Sequence, residues 1–143
     1  MVERCYVMVK PGFTDSKLIK RVIEVLESKG VKMIDFAYIR YDLECARIHY
    51  TEKSGKPYYM ELVNYLASDK AFGMIYEGKN ALTICRSTVE ELRHSLKDEF
   101  HLETTIMKNI LHCSSKTKVG NTMLELDTQR EIALFHYLKM QTI

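Results

Sequence analysis

An α+β sandwich, four antiparallel strands in one sheet covered by helices, is the fold class this sequence predicts. Three observations carry the prediction. Glu3 to Val9 and Val31 to Tyr41 are rich in β-branched and aromatic residues and apolar on both faces, as strands covered on both sides are. The segments between and after them show the three-to-four spacing of amphipathic helices. Strand and helix patterns also alternate in an order that makes two split strand–helix–strand units.

Taken in order, the first strand ends abruptly at Lys10-Pro11-Gly12, and either Thr14 or Asp15 can cap the helix that follows. Leu18, Ile19, Val22, Ile23, Val25 and Leu26 give that helix a wide apolar stripe, and Gly30 closes it. After the second strand, Asp42 can cap a short helix carrying Leu43, Ala46 and Tyr50. Glu52 to Lys56 reads as a turn, with Pro57 at the first position of the next helix. Ala71 to Tyr76 reads as the third strand, followed by a helix capped at Asn80. A second capping signature at Ser87 to Glu91 predicts a fresh helical segment toward Phe100. A fourth strand is expected near Leu102 to Ile106, and Asp127 or Thr128 should cap a final helix holding Ile132, Leu134 and Tyr137. No repeat, linker or low-complexity tract divides the chain, so residues 1–143 read as one domain of ferredoxin-like arrangement.

Composition narrows the function classes. With 46% hydrophobic and 28% charged residues the chain is of ordinary globular make-up. A net charge of +2 is too small to argue for a dedicated nucleic-acid or membrane surface. The four cysteines, Cys5, Cys45, Cys85 and Cys113, form no C-x-x-C pair and fit neither a zinc site nor a small disulfide scaffold. Reduced thiols are expected. With no leader-like start and no apolar run long enough to span a bilayer, a soluble, cytoplasmic protein is expected.

The chemistry centres on Asn109-Ile110-Leu111-His112-Cys113-Ser114, where a histidine emerges from an apolar pair that should fix its backbone. An imidazole titrates near neutral pH and can act as nucleophile, base or ligand. Lys10, at the end of a buried strand, can present a point charge to an anion. Tyr58 lies within a turn of Lys56, a stacking face beside a cation. Arg86 falls within the apolar period of its helix, among Leu82, Cys85 and Val89, and a guanidinium there needs an acceptor, either a salt bridge or a phosphate. Glu131 can orient the imidazole if the last helix packs under His112. Glycine-rich phosphate loops are absent, so any phosphate site must be built from side chains.

These residues, in this order, resemble a nucleoside diphosphate kinase. Val7-Met8-Val9-Lys10-Pro11 is similar to the family's first strand and lysine, and His49-Tyr50 with Gly55-Lys56-Pro57-Tyr58-Tyr59 to its helical hairpin over the base. Glu77-Gly78-Lys79-Asn80-Ala81 with Arg86 resembles the third strand and arginine helix. The segment from Asn109 to Ser114 resembles the one bearing the phosphorylated histidine, and Arg130 to Phe135 the closing helix. The resemblance implies that His112 takes the γ-phosphoryl group from ATP or another nucleoside triphosphate and returns it to a nucleoside diphosphate, a ping-pong exchange through phosphohistidine. It implies further that Glu131 and Ser114 orient the imidazole, Lys10 and Tyr50 contact the transferred group, and Arg86 the inner phosphates. Asn109 would reach the sugar hydroxyl, while Tyr58 and Ile106 sandwich the base. Mg²⁺ would arrive bound to the phosphates without a protein cage. The family's assemblies imply a homo-oligomer, a hexamer or smaller.

The chain also departs from the family's pattern. Lys10-Pro11 is followed by Gly12-Phe13 in place of Asp-Gly, and Cys113 stands where a glycine normally follows the histidine. The family's long loop after the arginine helix, with its threonine and second arginine, is replaced by the helical stretch Glu90 to Phe100. Arg93 or Lys97 could supply that arginine's charge, though a lysine lacks its bidentate fork. The alternative reading keeps the fold as a nucleotide-binding or scaffolding domain with little turnover. A ferredoxin-like RNA-binding module would need exposed sheet aromatics and a basic stripe, and the sequence offers neither.

Overall fold

A computed structural model describes residues 2–115, 117–119, 122–124 and 126–141, with side chains at 2–115 and 127–141. In chain order it runs β1 (Val2–Val9), α1 (Ser16–Ser28), β2 (Lys32–Ile39), α2 (Leu43–His49), α3 (Tyr59–Leu66), β3 (Ala71–Lys79) and α4 (Ala81–Phe100). Then come β4 (Leu111–Cys113), a hairpin of β5 (Thr117–Val119) and β6 (Thr122–Leu124), and α5 (Leu126–Gln141). The main sheet is antiparallel, in the order β2-β3-β1-β4. This is the α+β, ferredoxin-like sandwich expected.

β1 is the inner strand, and its alternation divides the molecule. Cys5, Val7 and Val9 point to a core closed by α1 and α4, and Tyr6 and Met8 to a second core closed by α2, α3 and α5. His112 pairs with Met8 across the β1–β4 ladder and Cys113 with Val7, so successive residues of β4 serve opposite faces. Asp15 caps α1, its carboxylate accepting from the amides of Lys17 (3.0 Å) and Leu18 (3.2 Å). Asp42 caps α2 through the Cys45 amide at 2.7 Å. Gly30 takes the left-handed conformation, φ +97°, just past the end of α1.

Gly73 on β3 fixes how closely α5 approaches. A Cβ there would lie 2.7 Å from the Phe135 ring and 2.8 Å from the Tyr6 hydroxyl. The helix therefore rests on bare backbone, and Glu131, one turn before Phe135, is lowered toward β4.

Several expectations are corrected. The fourth strand is Leu111–Cys113, not Leu102 to Ile106, and includes the histidine itself. The interval from Leu102 to Ile106 is irregular. Ser87 to Glu91 starts no new helix: α4 is continuous for 20 residues, because Leu82, Cys85, Val89, Leu92 and Leu96 keep one buried stripe throughout. Asn80 holds the N-cap position at φ 59° without a side-chain bond. The buried Glu3 carboxylate instead accepts from the Leu82 amide at 3.2 Å. Pro57 precedes α3 by two residues, in a turn. β2 lies at the sheet edge, with Phe36 54% exposed, so its two-faced apolarity does not mean burial on both faces. Asp127 and Thr128 fall inside the first turn of α5.

Candidate active site

Between β4 and the α2–α3 hairpin opens a cleft of about 970 Å³. Its walls include Lys10 and His112 from the sheet, Tyr50 and Tyr58 from the hairpin, and Ile106 from the segment before β4. Lys53, Lys108 and Glu61 also reach it, three residues that sequence reasoning did not single out.

The histidine stands on a rigid and strained base. The Leu111 amide donates to the Asn109 carbonyl at 2.9 Å across Ile110, whose φ is 78°. That is a γ-turn of the rarer hand, and a β-branched residue in it costs about 1–3 kcal/mol. Complete burial of Ile110 and the Lys10 amide bond to its carbonyl (2.8 Å) hold it there. Immediately after the turn the chain enters β4. Arg93 then grips the Leu111 carbonyl from α4 with Nη2 at 2.9 Å and Nε at 3.3 Å, while Nη1 reaches Glu90 at 2.9 Å.

The His112 Nε2 meets the Glu131 Oε1 at 2.8 Å. Glu131 is 2% exposed, and burial raises its pKa to about 8. Burial, then the charge of Lys10, lowers the imidazole to about 3. The lowered value favours a neutral imidazole, and the contact with Glu131 occupies Nε2, which leaves Nδ1 as the nitrogen free of that bond. The buried ring of His49 crosses the His112 ring edge-on, with centroids 4.7 Å apart. Its Nδ1 has no partner among the described residues, and burial lowers its pKa to about 3. The sequence carried no signal for this contact, because nothing in α2 says which side chain will lie across the nucleophile.

Lys10 is 8% exposed, and its Nζ donates to the Asn109 Oδ1 at 2.5 Å and the Met107 carbonyl at 3.1 Å. Burial, aided by the charge of Arg93, lowers its pKa to about 8. Tyr50 is buried in the cleft wall, whereas Tyr58 is 44% and Ile106 99% exposed at the mouth. Ser114 is buried, and its Oγ accepts from the Tyr6 amide at 2.9 Å, so the bond it makes ties β4 to β1. Asn109 is engaged by Lys10.

The basic residues of α4 stand apart from this wall. Arg86 is exposed, not buried in the helix stripe, and its charge acts on the neighbouring Cys113 thiol. Lys97 is exposed in the last turn. Arg93 backs β4 from the other face of the sheet. The structure thus brings Lys10, Tyr50, Tyr58, Ile106 and His112 together, with Glu131 behind. Arg86, Arg93 and Lys97 do not line the cleft.

His49, His112 and Glu131 are the trio that could hold a metal ion among the described residues, their ligand atoms lying within 4.8 Å of one another. Two imidazoles and one carboxylate do not suit Mg²⁺, which demands an oxygen octahedron. The cleft fits that ion only as part of a phosphate-bearing ligand.

A fold of this kind, with a histidine held by a buried acid on the wall of a lysine-bearing cleft, belongs among the phosphotransferases. The family model described as nucleoside diphosphate kinase matches residues 3–136. A nucleoside diphosphate kinase of Methanocaldococcus jannaschii is 32% identical over 141 residues, 94% of each chain. One of Staphylococcus epidermidis is 30% identical over 139 residues, 92% of each. The solved structure of a Halobacterium salinarum nucleoside diphosphate kinase in complex with CDP superimposes with a TM-score of 0.71 at 31% identity, covering 94% of this chain and 88% of that one. The chain belongs to the nucleoside diphosphate kinase family. Among the described residues no helix is long and apolar enough to cross a membrane.

Proposed function

We propose that this chain moves the γ-phosphoryl group of a nucleoside triphosphate to a nucleoside diphosphate through a phosphohistidine at His112. The observation that carries the reading is the 2.8 Å bond from Nε2 to the buried Glu131. That bond directs the nucleophilic lone pair to Nδ1. In the first half-reaction Nδ1 bonds to the γ-phosphorus, the bridging P–O bond breaks, and the nucleoside diphosphate leaves. The second half-reaction runs the same step backward onto a different diphosphate. Glu131 stabilises the imidazole as it gains positive character. Lys10 and Tyr50 contact the transferred group, and positioning and charge stabilisation supply most of the catalysis. Mg²⁺, carried in on the phosphates, would supply charge neutralisation there.

Tyr58 and Ile106, both exposed at the cleft mouth, fit the two sides of a base sandwich. Stacking on a π-face and an aliphatic side chain reads no base edge, so the enzyme accepts purine and pyrimidine nucleotides alike. Asn109 would serve the sugar after Lys10 turns from it to phosphate. Residues 1–143 act as one domain, working in the cytoplasm as a homo-oligomer, a hexamer or smaller.

Incubation with γ-labelled ATP tests this. Acid-labile, alkali-stable label should form, discharge onto added GDP and be absent from His112→Ala. Label that survives in His112→Ala, or label that never discharges onto any diphosphate, would overturn the reading.

A further inference from the structure

On the face of β4 opposite the histidine lies a cluster of sulfur. Cys113 Sγ is 3.3 Å from Cys5 Sγ on β1, and Cys85 of α4 lies near enough to the same sulfur to act on its pKa. Ser114 Oγ is also within 3.4 Å of it. Cys113 is half-buried, whereas Cys5 and Cys85 are buried. The bond from Cys113, then the nearness of Cys85, lowers the pKa of Cys5, while the same bond and burial raise that of Cys113. The cluster takes no part in the transfer derived above. It includes the one residue of the histidine segment that stands where the resemblance expects glycine.

We propose that Cys5 and Cys113 form a thiol oxidation site whose co-substrate is a hydroperoxide, and that its oxidation disables the histidine beside it. The geometry favours this pair. Cys113 lies opposite Val7, so Cys5 is its diagonal neighbour on the same face. The oxidant enters beside Cys113, the half-buried member, and meets Cys5, whose thiolate the bond from Cys113 favours. The Cys5 sulfur bonds to one peroxide oxygen, the O–O bond breaks, and an alcohol or water leaves, giving a sulfenic acid. The Cys113 sulfur then attacks that sulfur, the S–S bond forms, the S–O bond breaks and water departs. Two thiols are oxidised and one peroxide is reduced.

Register supplies the consequence. Diagonal partners in an antiparallel ladder sit about 7–8 Å apart at Cα, beyond the roughly 4.4–6.8 Å that a disulfide prefers. Closing the bond draws β4 along β1. The adjacent His112 cannot keep its 2.8 Å bond to Glu131 on the other face through that shift. A misplacement of about 1 Å in a reacting group costs on the order of 10²-fold in rate.

The activity arm of the test rests on the proposed phosphohistidine chemistry; the covalent arm does not. The full chain, reduced with dithiothreitol, is split and one half treated with hydrogen peroxide. Peptide mapping without reductant should find Cys5 joined to Cys113 with the mass of two hydrogens lost. Labelling by γ-labelled ATP should fall by about 10²-fold and return on adding dithiothreitol. Cys113→Ser should label normally and resist peroxide, and Cys85→Ala should still form the bond. A Cys5–Cys85 link, or sulfinic acid at Cys113 without a cross-link, would overturn the site. A Cys5–Cys113 bond in protein that labels as before would overturn its effect on His112. Failure of the reduced protein to label would count against the phosphohistidine reading, leaving the peptide map to judge the thiol pair.

Discussion

On the α1/α4 face of the sheet, β1 contributes Cys5, Val7 and Val9 to a core of aliphatic side chains and thiols joined by Phe72, Met74 and Tyr76. On the other face it contributes Tyr6 and Met8 to a core that borders His49, Tyr50 and Glu131, all buried, and a hydroxyl bond of 2.9 Å between Tyr6 and Tyr41. Apolar burial stabilises the first face at about 25 cal/mol per Å² removed from water. The second gives up part of that gain, because buried imidazole and carboxylate are forced toward their neutral forms. Stability is thus concentrated on one side and chemistry on the other, with a three-residue strand serving both. Damage to the two faces should have different signatures.

The largest expected effect is at the nucleophile: His112→Ala should lower phosphoryl transfer by on the order of 10⁴-fold or more, read by coupled assay, with little change in the denaturation midpoint. Glu131→Gln should follow, with transfer down by roughly 10²- to 10⁴-fold. If it transfers like the wild type, the acid does not direct the ring.

Paired core variants sharpen the contrast. Leu26→Ala removes a fully buried side chain from the α1/α4 core and should cost about 2–5 kcal/mol of stability while the folded protein still transfers normally. Gly73→Ala drives a methyl into Phe135, and overpacking of this sort costs about 1–3 kcal/mol. It should also slow transfer, because α5 carries Glu131 away as it lifts. Equal effects on activity would erase the distinction between the faces.

Two smaller effects remain. Tyr58→Ala should raise KM for nucleotides by about tenfold, the loss of roughly 1–3 kcal/mol of stacking, and leave kcat near its starting value. In acid, burial holds His49 near a pKa of 3 against an ordinary 6.5, so the unfolded chain takes up a proton that the folded chain refuses. Its contribution therefore falls as pH drops from 6.5 toward 3, by about 1.4 kcal/mol per unit. Glu131, raised from 4.5 to about 8, slopes the opposite way between those two values. His112, likewise held near 3, adds a second slope of the first sign, so between pH 4.5 and 6.5 the wild type keeps a net slope of one histidine. Urea denaturation should then show wild-type stability rising with pH between 4.5 and 6.5 and a nearly flat profile in His49→Gln; an unchanged profile would mean that the buried His49 ring is already charged.

The sheet, the helices and the histidine segment were legible because they rest on local periodicity and on caps such as Asp15 and Asp42. β4 was not. Three residues carry no period, and the γ-turn at Ile110 puts a β-branched side chain where local preference forbids it. The continuity of α4 overrode a capping signature through its buried stripe. Pairing of Glu131 with His112 was open to reasoning from sequence, conditional on where the last helix packed. The crossing of His49 and the meeting of Cys5 with Cys113 depend on tertiary approach and left no trace in spacing.

Gly73 has a practical corollary. A glycine inside a strand is an obvious target for anyone seeking a more heat-resistant protein, since a β-branched replacement improves strand propensity and trims the freedom of the unfolded chain. Here the missing side chain is the clearance that seats the last helix. A screen scored on melting temperature alone would therefore risk trading the acid's position for backbone rigidity.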